Sequence, residues 1–550
     1  MAHALRMRAT PGLSRLGWAA LAAAAVACVV AAVGPLDRVA IIALATVPAA
    51  VVVVLHPLVG LACLLAYATV LGLLIRLLPS GQAGPIGLAL DALLLLMTAR
   101  LAVDLLRHRD WHRLASPLTP AVACFAGYTA LEVLNPAAPS LVFGLVGLRV
   151  TARVLGFFLV LYYVRDRQAI GRLAGAWLAL MLAVGAYGIF QHHHGLLWQE
   201  MAWLLSEGNA QTHILGGHVR VFSTVGDAAT FGFLMMAATL QVVAWAPAAA
   251  PPWRWGLWLA ALPLLYAMAL SYSRGPVVGL MAGFGALVVA SRSWRLAAWA
   301  SALAGVGLVL LLATGSTRLV DRLATATAPG QDASFNVRLS YVTAYLPEIA
   351  RRPFGYGVNT SGGGARKLAG GGQVRGSVVG VPTDNYYFKV ALELGWVGLG
   401  LWLWLVLALL GQAWRACRAR RGDAVALGLG GTLVALTVGA LSNDIIAQKP
   451  VAELFWVAAG LVALLARSAT AGRRTGATPR PAGAAPLIPA DADLLPGGEG
   501  SGGLSPPPGE AGVHPGEAGV PAPLPQGEGG RRPGEGPPQH KGPRAGGEDR

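Results

Sequence analysis

Apolar residues run in long blocks through the first 470 or so positions, and polar residues collect in the intervals between them. Most blocks approach the roughly 17–25 residues that a helix needs to cross the hydrocarbon core of a bilayer. About fourteen can be read. They begin with Leu16–Val33, Val39–Leu55, Leu58–Leu78, Ile86–Leu106, Leu118–Leu134, Val150–Val164 and Leu173–Phe190. They continue with Ala228–Trp245, Trp255–Leu270, Val277–Ala290, Leu296–Ala313, Tyr386–Leu410, Ala424–Leu441 and Val451–Ala466. The pattern predicts an all-α polytopic membrane protein with about 14 transmembrane helices.

The same pattern divides the chain. Residues 1–149 read as N-terminal transmembrane helices, with Met1–Gly34 taken as an uncleaved first span rather than a signal peptide. Residues 150–313 read as central transmembrane helices interrupted by a first external loop at 191–224. Residues 314–385 form the large external loop, and 386–468 return to the membrane. Within the large loop Phe335, Leu339, Val342, Leu346 and Ile349 recur at three- and four-residue spacing, which predicts a helix with one apolar face. The stretch "SGGGARKLAGGGQVRG" (361–376) reads as a mobile lid or acceptor-binding strap. Beyond 469 the chain turns to Pro, Gly, Ala and Glu and reads as a disordered cytoplasmic tail.

Composition agrees with the pattern. The 550 residues are 55% hydrophobic and only 12% charged, too little charge to clothe a soluble protein of this size. The net charge of +16 raises nucleic acid as a partner. The arginines, however, sit between apolar blocks, as in "RHRDWHR" (107–113), "RDRQAIGR" (165–172) and "RACRARR" (415–421). The alternate intervals "PSGQAGP", "NPAAPS" and "SNDIIAQKP" nearly lack Arg and Lys. This is the positive-inside asymmetry of a membrane protein with both termini cytoplasmic, and it excludes nucleic acid as the reason for the charge. Four scattered cysteines give no disulfide framework or zinc spacing. Nor can the adjacent histidines 192–194 all face one metal ion.

Candidate chemistry gathers at the external side. Arg220 in "HVRVFSTVGDAATFG", Arg274 in "SYSRGP" and Arg338 early in the loop helix all lie near span ends or in external loops. Taken singly, each fits snorkelling or ion pairing. Together they suit an anion such as a pyrophosphate. Arg338 opposes its helix macrodipole, and a bound anion removes that conflict. Ser271, Ser273 and Gly275 around Arg274 would let hydroxyl and backbone donors approach the same group. No histidine lies between His218 and His514, so acid–base work in the large loop falls to a carboxylate: Asp321, Asp332, Glu348, Asp384 or Glu393. Asp384 is best placed, followed by Asn385 and Tyr386. The alternative is that Asp384 and Asn385 cap the next helix.

In this order the pieces "RVFSTVGDAATFG", "SYSRGPVVGL", "NVRLSYVTAYLPEIARRPFGYGVNT" and "DNYYFKVALELGWVGLGLW" resemble the O-antigen ligase and polysaccharide polymerase family of bacterial inner membranes. The likeness spans roughly Val150 to Leu410. It implies a GT-C-like bundle with one large external loop carrying short helices. It also implies a metal-independent glycosyltransferase without cofactor, acting in surface polysaccharide biosynthesis. The donor would be an undecaprenyl-diphosphate-linked glycan and the acceptor a hydroxyl on glycan, lipid or protein. The resemblance assigns Arg220, Arg274 and Arg338 to the diphosphate and Gly355 and Gly357 to the loop's Gly-x-Gly turn. Asp384 would be the base, with Ser273, Asn385, Tyr386 and Arg375 binding substrate. Ligases often carry His-Asn where this chain reads Asp384-Asn385, which tilts the reading away from a strict ligase and leaves ligase and polymerase both open. A transporter or flippase of a lipid-linked or anionic solute is the rival. The chain lacks the internal repeat and mid-span charge pairs that many transporters carry.

Overall fold

A computed structural model describes residues 50–77, 83–206, 209–215, 217–294, 297–299, 301–302, 305, 333–370, 378–419 and 423–474. The described residues are overwhelmingly helical. The principal helices are α1 (Pro57–Leu77), α2 (Ala83–His108), α3 (Thr119–Leu131), α4 (Leu141–Thr151), α5 (Leu155–Tyr163), α6 (Arg167–His194), α7 (Trp198–Leu205) and α8 (Ala228–Trp245). They are followed by α9 (Pro251–Ala269), α10 (Arg274–Ser291), α11 (Ala333–Arg351), α12 (Gly362–Leu368), α13 (Tyr386–Ala419), α14 (Ala424–Gly439) and α15 (Val451–Arg474). Eight helical segments among the described residues are long and apolar enough to cross a membrane, and the chain is an all-α polytopic membrane protein. The expected spans Leu16–Val33 and nearly all of Val39–Leu55 and Leu296–Ala313 lie outside the described residues, as do Asp321, Asp332 and most of the tail.

Two expectations are refined. The span placed at Val150–Val164 begins at Leu141, because α4 and α5 join through a single 3₁₀ turn at Ala152–Val154. The start of the glycine-rich strap is more precisely defined: it forms the short helix α12, where Ala365 packs with Phe143 and Val379, all three buried. The loop helix is present as α11, with Pro347 inside it.

Local sequence sets the helix starts. Asp227 Oδ1 accepts the amides of Ala229 (2.8 Å) and Thr230 (3.0 Å), capping α8. Asp166 accepts Ala169 N at 2.6 Å to start α6, and Asp423 accepts Val425 N at 3.1 Å to start α14. Such caps each contribute about 1 kcal/mol by satisfying donors that a helix start leaves open. Helix α8 is buried on nearly all its surface and forms the centre of the bundle.

Small residues set the closest packing. Gly275, Gly279 and Gly283 recur every fourth residue on α10, the last two against α14 and α8. A methyl added at Gly279 would lie 2.9 Å from the Ala435 carbonyl oxygen, and one at Gly283 would lie 3.0 Å from that of Gly431. In a bilayer, where apolar helices gain little from burial alone, such stripes let backbones approach and gain dispersion contacts. At Gly275 the same methyl would lie 2.5 Å from Ser442 Oγ, so the zipped pair sets the start of α10 against the α14–α15 connection.

Buried charge also orders the helices. Arg153, between α4 and α5, donates from Nε to Glu453 of α15 at 3.0 Å and from Nη2 to Asp91 of α2 at 3.2 Å. Asp91 also meets Lys449 Nζ at 3.3 Å and Arg149.

Helix α13 is kinked. Gly395 lies at φ 65°, ψ −163°, which frees the carbonyls one turn before it. Those of Leu392 and Glu393 then accept the amides of Tyr356 (3.1 Å) and Gly357 (2.9 Å). The Gly-x-Gly turn is therefore bonded into the kink, with φ 68° at Gly355 and 91° at Gly357. A methyl on Gly395 would lie 2.1 Å from the Pro353 carbonyl oxygen. Gly395→Ala is expected to destabilise the fold by about 3 kcal/mol from strain and overpacking. Thermal unfolding of the detergent-solubilised protein checks this; an unchanged midpoint would remove the kink's structural role.

Candidate active site

Helix α1 ends where Leu73 N bonds Thr224 O, and α6 ends where Gln191 meets Ser223. Near its start, α2 meets Lys449 at Gly87 O. All three ends mark one end of the bundle, and the candidate residues lie here.

Arg220 follows a short hairpin pairing Ile214–Leu215 with His218–Val219. Its amide bonds His213 O at 2.8 Å, and that of Val221 bonds Leu270 O at 3.1 Å, which lays this segment along the α9–α10 turn. The guanidinium donates to Ser271 O (3.0 Å), Ser273 Oγ (2.5 Å) and Thr212 O (3.2 Å). In the turn Tyr272 has φ 51°, and Ser273 leads directly into α10, whose first residue is the half-buried Arg274. Arg220, Ser273 and Arg274 thus come together at a helix N-terminus, where exposed amides and the macrodipole favour an anion.

A brace the sequence did not reveal holds the segment after Arg220. Buried Arg76 of α1 donates from Nη1 to Val225 O at 2.6 Å and from Nη2 to Ser223 O, and its Nε lies 3.4 Å from Glu200. Gln191 accepts Ser223 N at 2.8 Å and donates to Glu200 at 2.8 Å. The Arg76 guanidinium also sits 4.6 Å from the Phe222 ring centre. No spacing in the sequence links Arg76 to a loop some 150 residues away.

At the start of α13, the two capping candidates have separate roles. Asn385 Oδ1 accepts the amides of Tyr387 (2.9 Å) and Phe388 (3.1 Å) and is the cap. Asp384, one residue earlier, is exposed. Tyr386 turns its ring onto Trp402, centroids 4.9 Å apart, and its amide bonds Ala440 O at 2.8 Å. Glu393, another candidate base, is buried and fully engaged. It accepts from Asn359 N (3.0 Å), Ser361 N (3.1 Å), Ser361 Oγ (2.6 Å) and Lys389 Nζ (2.7 Å). This ties the loop after the Gly-x-Gly turn to α13.

The α14–α15 connection supplies what sequence reading missed. The stretch "SNDIIAQKP" counted there only as a short interval poor in Arg and Lys. Asp444 within it accepts Gln448 Nε2 at 2.5 Å, and Gln448 Oε1 accepts Thr230 Oγ1 at 3.0 Å, next to the cap of α8. Burial pushes the Asp444 carboxyl up to about 6; Lys389 and Gln448 oppose that shift, while Asp384 and Asp227 add to it. A methyl at Gly362 would reach Thr383 Oγ1 (3.1 Å), Lys389 Nζ (3.4 Å) and Asp444 Oδ2 (3.9 Å), which places all three around the strap's first turn. The connection therefore lies against the α10 start at Ser442, bonds the α13 start through Ala440 O and the α8 start through Gln448, and sets Asp444 within electrostatic reach of Asp384.

Arg338 lies in the second turn of α11, whose later residues Tyr341, Val342, Tyr345 and Ile349 pack with Phe388 and Leu392 of α13. Arg375 lies outside the described residues. Tyr266 reaches His193 of the histidine run at 3.1 Å.

Residues 259–403 match the family model described as O-Antigen ligase. The match supports an O-antigen ligase-like family for this membrane-embedded chain. It runs from within α9 into α13 and takes in Ser273, Arg274, Arg338, Asp384, Asn385 and Tyr386, leaving Arg220 and Asp444 outside. No curated protein matches the chain.

Proposed function

We propose that the chain is a glycosyltransferase of the O-antigen ligase and polymerase type in a bacterial inner membrane. It transfers a glycan from an undecaprenyl-diphosphate-linked donor to an acceptor hydroxyl at the external face, with both termini cytoplasmic. The observation that carries this reading is the cluster of Arg220, Ser273 and Arg274 at the start of α10, set beside the 440–448 connection that carries Asp444 and leads to Asp384 at the start of α13.

In this reading the donor's diphosphate lies at the N-terminus of α10, with Arg220, Arg274 and Arg338 bearing the charge that develops as it departs. Preorganised donors aimed at developing charge are often the largest single contribution to catalysis. The acceptor hydroxyl attacks the anomeric carbon, the bond to the diphosphate oxygen breaks, and the proton passes to the Asp384–Asp444 carboxylate pair. Cations and amide dipoles do the work a metal does elsewhere, so the proposal carries no metal step. Arg375, Asn385 and Tyr386 belong to the substrate-binding wall, Asn385 and Tyr386 by shaping the α13 start.

The test uses purified protein in proteoliposomes with a polyprenyl-diphosphate-linked oligosaccharide. Expected are glycan transfer with one polyprenyl diphosphate released per bond formed, and full activity after chelation with EDTA. Movement of the intact lipid-linked glycan across the bilayer without transfer would establish the transporter instead.

A further inference from the structure

A large cavity lies at the opposite end of the bundle from the site above. It holds about 950 Å³ between the starts of α1 and α6 and the end of α2. Helix α1 separates the two ends by its 21 residues, about 30 Å at the helical rise. The proposed transfer leaves this cavity unused.

Its lining divides by depth. At the mouth stand Arg100, Arg113, Arg165 and Arg172, with His56 and His108. Against them stand two carboxylates, Asp104 and Asp110. Asp104 accepts Arg100 Nε at 2.9 Å and Tyr163 OH at 2.9 Å, and Asp110 meets Arg113 Nη2 at 2.6 Å. Arg165 and Arg172 make no ion pair among the described residues. Four arginines against two aspartates leave two positive charges. In addition Arg113, its guanidinium 5.2 Å from the Tyr162 ring centre, keeps Nη1 enclosed without an acceptor among the described residues. A buried donor without an acceptor costs free energy until something accepts from it.

Below the mouth the wall turns apolar, with Ala62, Leu65, Leu173, Trp177 and Leu180. From Leu173, just below Arg172, to Leu180 the apolar part of the α6 wall descends about 10 Å. That covers about two thirds of one leaflet, half of the roughly 30 Å hydrocarbon core. A soluble anion would match the mouth and leave the apolar shaft in contact with water. A neutral lipid would match the shaft and leave the arginines uncompensated. One occupant suits both parts, a lipid with an anionic phosphate headgroup and an extended chain.

We infer that this cavity binds an anionic phospholipid of the surrounding bilayer. The phosphate sits among Arg113, Arg165 and Arg172, and one acyl chain lies along Trp177 and Leu180. Basic pockets between transmembrane helices bind such headgroups through this combination of charge and depth.

The full chain in mixed micelles tests it by native mass spectrometry and by quenching of tryptophan fluorescence with acyl-brominated lipids. Phosphatidylglycerol is expected to be retained at least about tenfold over phosphatidylcholine, with retention falling as salt rises. The brominated form should quench a fluorescence component that Trp177→Phe removes. The double variant Arg165→Gln/Arg172→Gln is expected to weaken retention by about tenfold or more. Equal retention of the two lipids by the wild-type protein would overturn the inference, whatever the variants do. Protection by inorganic phosphate alone, at the same strength as by phosphatidylglycerol, would assign the cavity to a soluble anion and overturn it too.

Discussion

Arg274→Ala is expected to lower glycan transfer by about 10²–10³-fold while leaving the protein folded and in the membrane. Arg274 is the first residue of α10, which puts its charge beside the first-turn amides. Removing it takes away a charge that acts on the departing diphosphate more strongly than on the bound donor, and the loss should fall mainly on kcat. Arg220→Ala should cost less on its own chemistry but also loosens the turn, because its bonds to Ser271 O and Ser273 Oγ hold Ser273 in place. Arg274→Lys should recover only part of the rate, since an ammonium cannot present paired donors in a plane. Initial rates in proteoliposomes, with unfolding midpoints measured alongside, check all three. Activity within about threefold of wild type for Arg274→Ala would remove the diphosphate assignment.

The second large effect concerns pH. Asp444 is held up to about 6, so it is protonated below that value and ionised above it. A reaction that needs the Asp384–Asp444 pair to accept a proton should therefore be fast above pH about 6 and fall as pH drops through it. Asp384→Asn removes one of the charges that raises Asp444, so the acid limb should move to lower pH while the rate falls by about 10²–10³-fold. Asp444→Asn should likewise abolish the limb near 6. A double variant, Asp384→Asn/Asp444→Asn, that keeps the wild-type rate and profile would exclude the pair as the proton acceptor.

Much of this architecture was legible in the chain because a bilayer forces it to be. Block length gave α8 at Ala228–Trp245 and the start of α13 at Tyr386, since lipid tolerates little besides satisfied helices. The loop helix was legible for a different reason, its apolar stripe at three- and four-residue spacing. Arg220 and Arg274 stood out as cations at span ends, and Ser273 came with them. Asp444 did not stand out. One carboxylate in a nine-residue interval looks like solvated polarity, and what distinguishes it is burial beside Lys389, Asp384 and Asp227, residues far apart in the chain. The anchoring of the strap's first turn was not legible, because the bond from Ser361 to Glu393 and the packing of Ala365 with Phe143 depend on partners that periodicity cannot show. Arg76 escaped as well, since its partners are backbone carbonyls, which carry no sequence signature.

The charge network around Arg153 bears on how the protein is made. Arg153 emerges from the ribosome 300 residues before Glu453, its partner in α15. Asp91, synthesised earlier, can hold it meanwhile, but Asp91 also attracts Arg149. Until the last span inserts, the early helices therefore carry an excess of positive charge near one membrane surface, poorly neutralised by protein. Glu453 arrives with Lys449, so the charge sum of the network stays the same, but Arg153 gains a buried carboxylate of its own and α15 is tied to the α4–α5 turn in the same event. Helix α15 thus ties the early helices together, and a chain stopped before it would leave Arg153 sharing Asp91 with Arg149.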